Sequence, residues 1–146
     1  MIDIQISRTY QGTVAELFGA IDTVHKLAVV KPSLGRYRTA RDEAGLQIID
    51  TALPYVFLRL STRLRYTTNT EKYCELEQIK GSFSAYSCRY TFRASGASVA
   101  LTVRLMVSFP LGPIGFLLGL LFAPLEKFRL SRELSRIDAR MRSARP

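Results

Sequence analysis

The stretch Leu105–Leu125, "LMVSFPLGPIGFLLGLLFAPL", contains no charged residue. Its length is that of a membrane span, because a bilayer core takes about 20 apolar residues in a helix. Its periodicity points elsewhere. Val99, Leu101, Val103, Leu105, Val107 and Phe109 alternate with Ala100, Thr102, Arg104, Met106 and Ser108, the period of a strand with one buried face. "PLGP" (Pro110–Pro113) then reads as a turn. The charge-free run is therefore a strand end followed by a helix from near Ile114. Before Glu126 that helix has about 12 residues, Gly119 and Pro124 among them, too few to cross a bilayer.

Beyond Glu126, Leu130, Leu134, Ile137 and Met141 continue at spacings of four, three and four. That is the stripe of a helix lying on a core, and Arg129, Arg132, Glu133, Arg136 and Arg140 are assigned to its solvated back. Pro124 either bends one helix or divides two, since it lacks an N–H and its ring clashes with the preceding turn.

Before the run, Tyr86, Cys88, Tyr90 and Phe92 alternate with Ser87, Arg89, Thr91 and Arg93, and Leu60, Leu64 and Tyr66 oppose Arg59, Arg63 and Arg65. The expected sheet has an apolar inner side and an outer side dotted with arginines. Earlier strands are read in "LGRYRTA" and "LQIIDTAL" around the turn "RDEAG", with Pro54 interrupting, and in "CELEQIKG". At the N-terminus Ile2, Ile4 and Ile6 alternate with Asp3, Gln5 and Ser7. Thr13 and Glu16 then form a capping box that opens a short helix. Asp22 is expected to cap a second helix through "TVHKLAVV", which Lys31-Pro32 stops.

The 146 residues suit a single domain, 1–146, with no repeat or low-complexity linker. "MIDIQISRTY" lacks a basic n-region and an apolar h-region, so a cytoplasmic location is expected. Cys74 and Cys88 have no metal spacing and are expected to be thiols, and the lone His25 has no catalytic partner in the sequence. No metal or cofactor is expected. The net charge of +9 suits an anionic partner such as a membrane surface, RNA or an acidic ligand.

The order strand, two short helices, six strands, long C-terminal helix is an α+β helix-grip arrangement. "QIKGSFSAYSCRYTFRASG" and "VSFPLGPIGFLLGLLFAPLEKFRLSRELSRI" resemble the polyketide cyclase/dehydrase and lipid-transport family. That family lies in the superfamily of START domains and the birch-pollen allergen, and includes coenzyme-Q-binding proteins. The resemblance implies a curved antiparallel sheet of about seven strands wrapped around the final helix, with a hydrophobic cavity between them for a lipid, quinone or polyketide-like molecule.

The residues expected to line that cavity are Leu64, Tyr66, Leu76, Tyr86, Tyr90, Leu101, Val103, Leu105, Phe116, Leu120 and Leu130, with Gln78 a polar candidate. An enzyme would need placed acid/base groups, and among Tyr66, Tyr86, Tyr90, Gln78 and Asp50 no pair stands out as a mechanism. The expectation is therefore a binder or carrier. A polyketide cyclase or dehydratase is the alternative, and a protein- or ribosome-binding basic surface through Arg63, Arg65, Arg89 and Arg104 the third reading. No nucleic-acid motif accompanies that stripe. The apolar start of the last helix, followed by Lys127, Arg129, Arg132 and Arg136, is expected to make transient contact with an anionic membrane, placing the protein peripherally at the inner membrane face.

Overall fold

The computed structural model describes residues 2–55, 58–109 and 112–144. The chain runs β1 (Ile2–Gln11), α1 (Val14–Gly19), α2 (Val24–Val30), a 3-10 turn (Pro32–Leu34), β2 (Arg38–Arg41), β3 (Gln47–Tyr55), β4 (Leu58–Asn69), β5 (Tyr73–Gly81), β6 (Ala85–Ser95), β7 (Ser98–Ser108) and α3 (Gly112–Ala144). The strands form one antiparallel sheet of seven in the order β1-β7-β6-β5-β4-β3-β2. This is the helix-grip order expected, with α3 held against the inner face.

Alternation decides the faces. Val99, Leu101, Val103, Leu105 and Val107 of β7 are all completely buried, and Tyr86, Cys88, Tyr90 and Phe92 of β6 join them. The register sets Tyr90 opposite Val103 and Cys88 opposite Leu105, so the two strands share one apolar surface. The outer face carries Arg63, Arg65, Arg89 and Arg104, each ion-paired to a carboxylate: Asp50, Asp42, Glu75 and Asp3 respectively.

Local chemistry explains most of the boundaries. The Thr13 capping box is formed, the Glu16 N–H donating to Thr13 Oγ1 at 3.1 Å. Thr23, not Asp22, caps α2: its hydroxyl accepts from the Lys26 N–H, while Asp22 pairs with the Lys26 ammonium at 2.9 Å. Pro54 does not interrupt β3, which continues to Tyr55 and pairs Pro54 with Arg59 near the hairpin end.

Pro124 does not divide the last helix either, and α3 is one element through it. The proline is exposed, where the carbonyl it leaves unbonded can meet water. The first half of α3 sits close on β1, because a Cβ at Gly119 would lie 2.7 Å from Ile2 Cδ1 and 3.2 Å from Phe109 Cε2. Pro110 and Leu111 of the expected turn lie outside the described residues. No helix among the described residues is long and apolar enough to cross a membrane.

Candidate functional site

The interior between sheet and α3 holds a charged centre. Lys31 closes α2 just before Pro32, and the turn of the chain there drives its side chain inward to 1% exposure. Its Nζ donates to Glu133 Oε1 of α3 at 2.9 Å, and Tyr90 Oη donates to Glu133 Oε2 at 3.1 Å. Both carboxylate oxygens are thereby engaged by donors from two other elements. Seven residues back along the helix, Glu126 is also buried and accepts from Arg129 Nη1 at 2.7 Å.

Burial dominates the electrostatics of this centre. Desolvation works to lower the pKa of Lys31, but Glu133, with smaller contributions from Tyr86, Cys88 and Glu126, outweighs it and holds the ammonium protonated well above the usual range. Burial keeps the Tyr90 phenol protonated and pushes the Cys88 thiol up to about 11. Burial also raises Glu126 above the ordinary carboxylate range, against the pull of Lys31 and Arg129. The centre thus offers protonated donors around one carboxylate, and burial keeps its thiol protonated at neutral pH.

A second cluster closes one end of the same interior. Tyr55 stacks on Phe109 with ring centroids 4.6 Å apart and meets Phe83 and Phe122 edge-on at 6.3 and 5.9 Å. Phe83 in turn touches Tyr86 at 5.4 Å. Tyr86 lies within electrostatic reach of Lys31, Glu126 and Glu133, so it joins the aromatic end to the charged centre. Tyr55 is 3% exposed, and its hydroxyl has no hydrogen-bond partner among the described residues.

On the flank of α3, a cleft of about 520 Å³ has Glu133 among its walls, with Pro32, Ser33, Arg59, Phe128, Arg132 and Arg136 around it. Among the described residues no three metal-ligating side chains converge.

The expected lining divides. Leu64, Tyr66, Leu76, Tyr86, Tyr90, Leu101, Val103, Leu105 and Leu130 are buried on the inner side, but most pack one another as core. Tyr66 donates to the Ile21 carbonyl, a tie between sheet and helices. Gln78 is fully engaged, its Nε2 donating to the Phe83 carbonyl and its Oε1 accepting from Thr62, both at 2.8 Å, so it anchors the loop carrying Phe83.

Phe116 and Leu120 do not line the interior: they are 68% and 60% exposed. Gly115 and Gly119 occupy the inward side of that turn, and the large residues beside them point out. Asp50 is likewise on the outer face, paired with Arg63 at 2.7 Å. His25 is exposed and hydrogen-bonds Tyr37 at 2.7 Å.

Glu133, assigned by its charge to the solvated back of the helix, is 3% exposed and faces the core. Spacing carries a signal for it: Glu126, Leu130, Glu133 and Ile137 recur at four, three and four, so both acids occupy stripe positions. Lys31, Tyr55, Phe83 and Phe122 are gathered from separate segments and carry no pattern of their own; of the ring cluster, Phe109 alone continues the alternation of β7.

A curved antiparallel sheet gripping a long C-terminal helix defines the START/polyketide-cyclase-like helix-grip fold. Among solved structures the chain is similar to a protein of Thermus thermophilus, with TM-score 0.83, 12% identity, and 99% of this chain and 100% of that one covered. It is also similar to the START superfamily protein from Mycobacterium smegmatis, with TM-score 0.67, 13% identity, and 98% and 99% covered. The di-domain ARO/CYC StfQ from the steffimycin biosynthetic pathway aligns at TM-score 0.77 and 12% identity, with 97% of this chain matching 51% of that one. No family model and no curated protein matches the sequence.

Proposed function

We propose that this protein binds an apolar small molecule carrying a hydrogen-bonding oxygen, such as a quinone, a lipid or a polyketide-like compound, at the aromatic end of the packing between sheet and α3, where the ligand parts the rings. The observation that carries this reading is the buried hydroxyl of Tyr55, which has no partner among the described residues and lies amid aromatic rings. Such a group costs the free protein about 1–3 kcal/mol, and a ligand oxygen would remove that cost. The rings supply apolar contact, and each ligand methylene buried among them adds about 0.8 kcal/mol.

Titration of delipidated protein with a prenylated benzoquinone and with a long-chain fatty acid tests this. Tyr55→Phe should weaken binding about three- to tenfold, while leaving the free protein as stable as before or more so. Unchanged affinity in that variant and in Phe122→Ala would place the ligand elsewhere and overturn the reading.

The ARO/CYC likeness and the Lys31–Glu133–Tyr90 centre support a second reading, in which protonated Tyr90 and Lys31 donate to a substrate oxygen during a cyclisation or dehydration. Under it, Tyr90→Phe keeps ligand affinity and abolishes turnover. The basic-surface reading has less behind it, because all four arginines of the proposed stripe are committed to carboxylates.

A further inference from the structure

The first half of α3 is apolar on both sides. Its inward side carries Gly115, Gly119 and Phe122, which close on β1 and the aromatic end. Its outward side presents Leu117, Leu121 and Phe128 at 62%, 54% and 60% exposure, spaced by four and seven residues along one line of the helix. Ile114, Leu120 and Leu125 flank that line, also exposed. From Ile114 to Phe128 the strip is roughly 21 Å long at 1.5 Å per residue. Solvated monomers rarely leave so continuous a face uncovered.

Beyond Phe128 the outward line changes character to Ser131, Arg132, Ser135 and Arg142. Lys127 and Arg132 are exposed, Arg136 is half-buried, and none of the three has an ion-pair partner among the described residues. No acid occurs between Gly112 and Leu125, and the acid that follows, Glu126, is buried and paired to Arg129.

We infer that this face docks on an anionic lipid bilayer, the strip from Ile114 to Phe128 sinking into the interface and the cationic half of the helix lying along the headgroups. An interfacial helix carries an apolar face beside Lys and Arg that meet anionic lipid, and α3 arranges the two along its length. A second copy of the chain fits the charge less well, since two molecules of net charge +9 repel, whereas an anionic surface attracts each. The inference does not depend on the ligand reading, because empty vesicles test it.

The sequence has no tryptophan, so one introduced at Leu121 is a unique fluorescent reporter of the face. With vesicles of phosphatidylcholine and phosphatidylglycerol at low salt, Leu121→Trp emission should shift to the blue and the protein should co-sediment, both effects weakening at high salt. Thr91→Trp, on the outer face of the sheet, should show no shift. Lys127→Glu with Arg132→Glu should lower co-sedimentation by about tenfold or more, and Leu117→Glu should lower it with unchanged circular dichroism. Absence of binding to anionic vesicles at low salt overturns the docking, as does binding that Leu117→Glu leaves intact. A concentration-dependent dimer abolished by Leu117→Glu, without vesicle binding, overturns it in favour of self-association.

Discussion

Two sets of ion pairs in this molecule have similar contact distances and opposite surroundings. Arg104–Asp3 and Arg89–Glu75 on the outer face of the sheet close to 2.6 Å, and Lys31–Glu133 inside the grip to 2.9 Å. Distance would rank the outer pairs first. Solvent reverses the order: the side chains of Arg104 and Asp3 are 52% and 42% exposed, those of Lys31 and Glu133 2% and 3%. In water an ion pair trades hydration for a contact of similar worth, whereas a buried charge without its partner has neither.

The largest effect is expected from splitting the inner pair. Glu133→Ala should destabilise the fold by about 3–5 kcal/mol, read from the urea midpoint, because it strands the Lys31 ammonium in the core. The combined Lys31→Met, Glu133→Leu variant sharpens the point by regaining most of that loss. A double variant as unstable as the single one would show that packing, not charge, makes this spot sensitive. Tyr90→Phe removes one donor to Glu133 and should cost about 1 kcal/mol, measured the same way.

A smaller, pH-dependent effect belongs to Glu126. Its pKa is raised in the folded protein by burial, so the folded chain holds that proton more tightly than the unfolded chain. The stabilising contribution is present below the unfolded carboxylate pKa, near 4.5, and is lost as pH rises through that value toward the folded one. Glu126→Gln should therefore gain stability relative to the parent as pH rises above about 4.5, visible as a change in the Tm difference. A gap that shrinks over that range would show that Arg129 controls this carboxyl more than burial does. The smallest effect is expected outside, where Arg104→Ala should leave Tm unchanged within error. A clear drop there would break the comparison.

Periodicity makes the frame legible. Period-two alternation in β6 and β7, the Thr13 box and the charge-free run read as strand then helix are enough to order the elements and choose the inner face. The site is harder because it violates the rule that reveals the fold. Charge marks solvent on most helices, so Glu133 reads as part of the back despite its stripe spacing, and large apolar side chains mark the core, so Phe116 and Leu120 read as interior. Two glycines facing the sheet undo the second inference, and one lysine from another element undoes the first. The lysine lies far outside any window that holds Glu133, whereas Gly115 and Gly119 share one face at a spacing of four and mark it only by lacking side chains.

The ties that join β1 to β7 and Lys31 to α3 also bear on how the molecule is made. Ile2 pairs with Val107, and Lys31 meets its counter-ion 102 residues later in the chain. During synthesis the first strand has no neighbour until β7 emerges, and the ammonium next to Val30 has no partner until α3 follows. Closing such long loops costs entropy before any contact compensates it, which slows folding. A sheet that closed early around an unpaired lysine would be penalised, so docking of the last helix and completion of the core are expected as one late event on the nascent chain.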